Sequence, residues 1–132
     1  MKKLLLAVII ALSVVSCGAI STITKKQPSL VNTKWILVDN TAGKTPTLIV
    51  EAGRISGTGG CNNYFSEVVL NPGNGNFVVG NIGSTKMACN NLNVEQNYFD
   101  VLQQANKYVV KNGVLELYKD NLLLLKYKKL DK

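Results

Sequence analysis

The sequence predicts an α+β fold that is mostly β, with short antiparallel strands forming a sandwich or barrel and one helix packed on the sheet. Three observations carry this. Short β-branched and aromatic runs alternate with turn residues along the chain. Asn112-Gly113 stands between two such runs, and Asn-Gly is the strongest two-residue hairpin signal because both positions need positive φ. One segment, residues 93–105, shows helical rather than alternating spacing.

The expected elements follow in order. Residues 34–38 are rich in Trp and aliphatic side chains and read as the first strand. Residues 48–51 (LIVE) and 54–57 flank Ala52-Gly53 as a hairpin. Residues 63–70 form a longer strand, closed by Asn71-Pro72-Gly73-Asn74-Gly75, and residues 77–82 resume the β pattern. In the helix, Val94, Tyr98, Val101, Leu102 and Ala105 fall on one face, and Asn93 with Gln96 has capping-box character. Residues 108–111 and 114–118 flank the Asn-Gly turn, and residues 122–127 follow Asp120-Asn121. Four consecutive leucines, Leu122 to Leu125, imply a strand covered on both faces, by the barrel interior and by the helix.

The N-terminus places the protein. Met1-Lys2-Lys3 is a short basic region, and residues 4–15 are apolar except for Ser13. That is shorter than the about 20 residues a membrane-spanning helix needs, but it suits a secretory signal. Val14-Val15-Ser16-Cys17 resembles a lipobox, in which the Cys thiol receives diacylglycerol and the freed amine is acylated after cleavage. Each buried methylene contributes about 0.8 kcal/mol, so two or three acyl chains such as palmitate on Cys17 would hold the protein permanently. The expected organisation is a signal over 1–16, a lipidated tether over 17–29 and one domain over 30–130. The expected location is the bacterial cell envelope. Gly18, where an Asp would resemble an inner-membrane retention signal, favours the outer membrane.

Composition narrows the chemistry. With Lys2 and Lys3 removed, 13 basic residues face 8 acidic ones, a net charge of +5. The one basic cluster, Lys126, Lys128, Lys129 and Lys132, reads as a solvated tail, and an exported protein is not expected to meet nucleic acid. Histidine is absent, which excludes Ser-His-Asp and Cys-His catalysis, HExxH sites and most zinc sites. No cofactor and no metal site are expected.

The stretch RISGTGGCNNYF, residues 54–65, holds three glycines and a cysteine. It lacks the Lys-Ser/Thr and the following helix of a phosphate-binding loop. Gly59 and Gly60 therefore read as a bend in a barrel strand. With Cys17 assigned to lipid, Cys61 can pair only with Cys89. A disulfide is favoured over two reduced, buried thiols, in an oxidising compartment. No C-x-x-C motif is present to support a catalytic thiol.

At these residues the chain resembles a known family. SGTGGCNNYF, then GSTKMACNNLNVEQNYFDVL, then a hairpin with GVLELY, is similar to the META domain, also called HslJ-like. Asn62, Tyr64, Thr85, Lys86, Met87, Cys89 and Glu95 match the family motifs position by position, and Trp35 with Leu37 resembles the opening T-x-W-x-L. Ser66 departs from the pattern, where many members carry Gly. The resemblance implies a small antiparallel barrel-like sheet with one helix across it, often on bacterial lipoproteins linked to envelope stress tolerance, and it implies no catalytic activity. Asn62 and Thr85 would hydrogen-bond backbone in the turns, Met87 would fill core between sheet and helix, and Glu95 would favour the helix dipole from the first turn.

The expected function is thus a non-catalytic, monomeric, lipid-anchored envelope protein whose domain binds a partner or supports envelope integrity under stress. A carrier of a small apolar ligand in the barrel mouth is the alternative, ahead of a thiol oxidoreductase using Cys61.

Overall fold

The computed structural model describes residues 25–39, 41 and 43–131. The signal segment and Cys17 lie outside the described residues. The strands are β1 (Thr33–Leu37), β2 (Thr47–Glu51), β3 (Arg54–Thr58), β4 (Asn63–Asn71), β5 (Asn76–Val79), β6 (Gly83–Ser84), β7 (Lys107–Lys111), β8 (Val114–Lys119) and β9 (Leu122–Lys129). The helix α1 (Leu92–Gln104) lies between β6 and β7.

All pairings are antiparallel, in the order β3-β2-β1-β9-β8-β7-β5-β4, and β3 pairs with β4 to close the ring. The expected antiparallel barrel-like sheet with one helix is therefore what forms. Alternating residues of each strand point inward and are buried: Trp35, Leu48, Val50, Ile55, Tyr64, Phe77, Tyr108, Leu115, Leu117 and Tyr127. Burying one such side chain contributes about 1.5–3 kcal/mol. α1 packs Tyr98, Phe99 and Leu102 across β5 and β9. The Asn112-Gly113 turn forms as its sequence predicts, with φ of 52° and 73°.

The ring is uneven. β8 and β9 pair along their whole length, whereas β5 and β7 share one residue pair, Asn76 with Lys107. Two further bonds hold this seam, Phe77 N–H to Asn106 O (3.2 Å) and Tyr108 N–H to Gly75 O (2.8 Å). The N-terminal segment bridges what remains. Gln27 N–H donates to Pro72 O (2.7 Å). Val110 N–H donates to Gln27 Oε1 and Tyr108 O–H to Pro28 O, each at 2.9 Å. Leu30 is fully buried. Gln27 and Pro28, within the segment expected as the tether, are thus hydrogen-bonded to the barrel.

Other expectations are corrected in detail. The helix begins one residue earlier than expected and its N-cap is Asn91, not Asn93, without a side-chain cap bond. The strand expected over 77–82 stops at Val79, because its last ladder bond, Gly80 N–H to Glu67 O, precedes the chain's departure from β4. The four leucines are not covered on both faces. A bulge shifts the register between Leu117 and Tyr118, so Leu125 points inward while Leu122 stays 65% exposed at the hairpin end.

Candidate functional site

The glycine stretch turns the corner between β3 and β4. Gly59 N–H donates to Asn62 O (2.9 Å), and Thr58 Oγ1 both donates to Asn62 O and accepts from Gly60 N–H, each at 3.2 Å. A Cβ on Gly59 would stand 2.6 Å from the Phe99 ring and 2.8 Å from Glu95 Cγ. The missing side chain is what lets α1 lie directly on the corner. Gly60, with φ of 117°, supplies the bend.

Glu95 reaches from the first turn of α1 into this corner and is 3% exposed. Its Oε2 accepts from Cys61 N–H (2.9 Å) and Asn62 N–H (2.6 Å), and its Oε1 accepts from Asn62 Nδ2 (2.7 Å). No lysine or arginine pairs with it among the described residues; N–H groups and the helix N-terminus face the carboxylate instead. Asn62 passes the network on. Its Oδ1 accepts from Thr85 Oγ1 (2.8 Å) and Met87 N–H (2.7 Å). Thr85 Oγ1 in turn accepts from Asn63 N–H (3.2 Å). The expected backbone-bonding roles of Asn62 and Thr85 are present. Glu95 does more than favour the dipole, because it organises three donors from a turn more than thirty residues away.

A disulfide joins Cys61 to Cys89, with Cα atoms 6.3 Å apart. It ties the corner to the segment ahead of α1. That segment projects outward, which corrects the expectation for Met87: its backbone N–H is held by Asn62, and its side chain is 52% exposed rather than in the core. With Lys86, Leu92, Asn93, Gln96 and Phe99 it lines an open cleft of about 530 Å³. The cleft's floor is the Asn62–Glu95 network.

Behind the corner, three tyrosines form a chain the sequence did not reveal. Tyr64 O–H donates to Thr47 O (2.8 Å), which leaves Tyr64 Oη to accept from Tyr98 (3.2 Å), and Tyr98 Oη to accept from Tyr127 (3.0 Å). A carbonyl can only accept, so the proton order is fixed from Tyr127 to Thr47. Burial first, and the neighbouring phenols second, raise Tyr64, Tyr98 and Tyr127 well above the ordinary tyrosine range.

The family comparison matches the META domain over residues 28–130. The chain belongs to the META domain family. Two solved structures share its fold. An NMR structure of a protein from Burkholderia xenovorans aligns at 23% identity over 78% of this chain and 85% of its own, with a TM-score of 0.63. A second protein's NMR structure aligns at 20% identity over 74% and 88%, with a TM-score of 0.56. No curated protein matches.

In this META domain most of the motif forms one cluster: Gly59, Gly60, Cys61, Asn62, Thr85, Met87, Cys89 and Glu95. Lys86 flanks it on the exposed lip. Tyr64 connects through Phe99, whose ring centroid lies 5.2 Å away. Trp35 belongs elsewhere. Its Nε1 donates to Thr33 Oγ1 (2.7 Å), and Thr33 donates to Leu30 O, so it fixes the N-terminal segment. Ser66, the departure from the family pattern, is buried and donates to Glu67 O (3.0 Å).

Proposed function

We propose that this chain is a non-catalytic, lipid-anchored protein of the bacterial envelope, held through Cys17, whose META domain presents a rigid cleft to an envelope partner under stress. The observation that carries this reading is where the motif's polar atoms go. Asn62, Thr85 and Glu95 are engaged in holding the corner. Lys86, Met87 and Leu92 are left to face outward. A charged stem, a flexible thioether and an aliphatic side chain over a fixed floor suit recognition of a protein surface.

A photo-crosslinking side chain placed at position 87 in living cells tests this. It should give a discrete adduct that is absent when the same group stands at position 78, exposed on β5 outside the cleft lining. Identical adducts from both positions, or none, would count against the cleft. Fatty-acid labelling that survives Cys17→Ser would remove the anchor from the reading.

A second reading is a small apolar ligand. It is favoured by a groove of about 210 Å³ between α1 and the β1–β9 edge, lined by Leu37, Val94, Tyr98, Val101 and Leu124. Thr41 Oγ1 at this groove is buried without a hydrogen-bond partner, unlike the other buried side-chain polar atoms among the described residues. Native mass spectrometry of gently purified protein distinguishes the two: a co-purified small mass supports the carrier.

A further inference from the structure

The outer surface of the barrel is electrically lopsided. In antiparallel pairs, residues directly opposite each other point to the same face. One outward row therefore runs Lys111, Val114, Lys128 and Ile36 across β7, β8, β9 and β1. The next row runs Val109, Glu116 and Lys126. Lys107 and Lys34 extend the same face on β7 and β1. Five lysines thus share four adjacent strands with one carboxylate, Glu116, which lies 3.7 Å from Lys126. The outward residues of β2 to β4 include Glu51, Arg54 and Glu67 and hold no such excess.

The chain leaves the barrel beside this basic face. Gln27 lies over the β5–β7 seam, where a Cβ on Gly75 would stand 3.4 Å from Gln27 Cγ and 4.0 Å from Lys107 Cγ. Lys25 and Lys26 precede it. Lys25 stands eight positions after Cys17, a reach of at most about 25–30 Å when fully extended.

We infer that the lysine face of β7–β8–β9–β1 docks on anionic lipid headgroups of the membrane that anchors Cys17, so that the protein lies with its seam side down and its Glu95 cleft exposed. This rests on the lipid-anchor reading. A domain of this size, with a radius of gyration of about 13 Å, is kept within about 25–30 Å of the surface by this tether. The tether raises the effective concentration at the surface to about the millimolar range, so individually weak contacts suffice. Each lysine near an anionic surface strengthens the contact several-fold, and salt weakens it. Val109, Val114 and Ile36 stand between the lysines, and the one carboxylate on the face, Glu116, is paired with Lys126.

Lysine footprinting tests the orientation. The lipidated full-length product is added to preformed vesicles of phosphatidylcholine alone, or of phosphatidylcholine with phosphatidylglycerol. It is then labelled with a membrane-impermeant acylating reagent. Lys107, Lys111, Lys126 and Lys128 should react several-fold more slowly on the phosphatidylglycerol vesicles, while Lys44 and Lys86 stay unchanged, and high salt should erase the difference. Lys107→Glu with Lys128→Glu, both exposed, should abolish protection of Lys111 and Lys126. Equal labelling on both vesicle types, or protection shared by Lys86, would overturn the proposal. So would protection by added polyglutamate without protection by phosphatidylglycerol, which would assign the face to an acidic protein. A chain that fails to remain on phosphatidylcholine vesicles lacks the anchor; protection on phosphatidylglycerol would still uphold the face.

Discussion

At the Gly59–Asn62 corner, one carboxylate accepts three N–H groups, an asparagine links two turns, and a disulfide crosses 28 residues. At the β5–β7 seam, one residue pair and two flanking bonds join the strands, and a segment some eighty residues away in sequence lies over the gap. Both regions close the same barrel. The corner is over-determined, since several independent restraints fix the same backbone. The seam is held by single bonds that can break one at a time. Local opening follows the density of such restraints. The corner should therefore behave as part of the global folding unit, and the seam as the first place to open. The exposed cleft stands on the rigid region, and the tether leaves from the compliant one.

The sharpest break of this contrast is Glu95→Ala. It strands Cys61 N–H, Asn62 N–H and Asn62 Nδ2 in a buried site. Loss of about 3–5 kcal/mol is expected, since each unsatisfied buried donor costs about 1–3 kcal/mol. Glu95→Gln should recover little, because its amide nitrogen would face a donor where a carboxylate oxygen accepted. Urea denaturation midpoints check both. A Gln variant as stable as the wild type would show that acceptor count does not hold the corner.

Removing the disulfide comes next. Cys61→Ala should cost about 2–5 kcal/mol, the usual loss for a small secreted domain. Cys89→Ala and the double variant should each cost about the same, since all three remove one bond. Additive losses, or a wild type whose midpoint ignores reductant, would defeat this. The same protein without reductant should resist alkylation at both positions.

The tyrosine chain extends the corner's rigidity into the barrel and gives it a pH signature. Burial raises the folded-state pKa of Tyr64, Tyr98 and Tyr127, whereas unfolded tyrosines ionise near pH 10. Stability from this source is complete below about pH 10 and falls as pH rises from the unfolded toward the folded values, by about 1.4 kcal/mol per pH unit per tyrosine. Tyr98→Phe leaves the Tyr127 proton without its acceptor, so it should cost about 1–2 kcal/mol at neutral pH. It should also flatten the alkaline slope by about one proton. Denaturation midpoints at pH 7 and above pH 10 separate the two effects; an unchanged alkaline slope would mean that Tyr98 ionises freely.

Much of the corner was legible in the sequence because its signals are local. Gly59-Gly60-Cys61-Asn62 announces a bend, and Cys61 with Cys89 was the available disulfide pair. The strand ends were legible for the same reason, as at Asn112-Gly113. What failed to show depends on distant partners. Nothing near Glu95 reveals that its acceptors serve a turn 33 residues upstream. Met87 is apolar by type, yet its neighbour Asn62 holds the backbone and turns the side chain outward. Leu122 to Leu125 form an apolar run whose burial is decided by a bulge that sequence periodicity does not record. The seam was invisible, since Gln27 and Val110 are 83 positions apart and neither carries a strand-pairing signal toward the other.

The smallest effect is expected at the seam and tests the other half of the contrast. Gln27→Ala removes the acceptor of Val110 N–H but leaves water access to a half-buried edge. A hydrogen bond of this kind contributes about 0.5–1.5 kcal/mol net. The global midpoint should therefore shift by no more than that. The amide of Val110 should exchange faster by about the same free energy, while the amides of Cys61 and Asn62 keep the protection of the global unit. Exchange at Val110 reports local opening of the seam if it rises alone. If all three amides accelerate together, the seam and the corner open as one unit, and the barrel closes cooperatively despite its uneven restraints. Reversing the experiment sharpens the point: Glu95→Ala should accelerate all three, because loss of the over-determined corner lowers the stability of the whole ring.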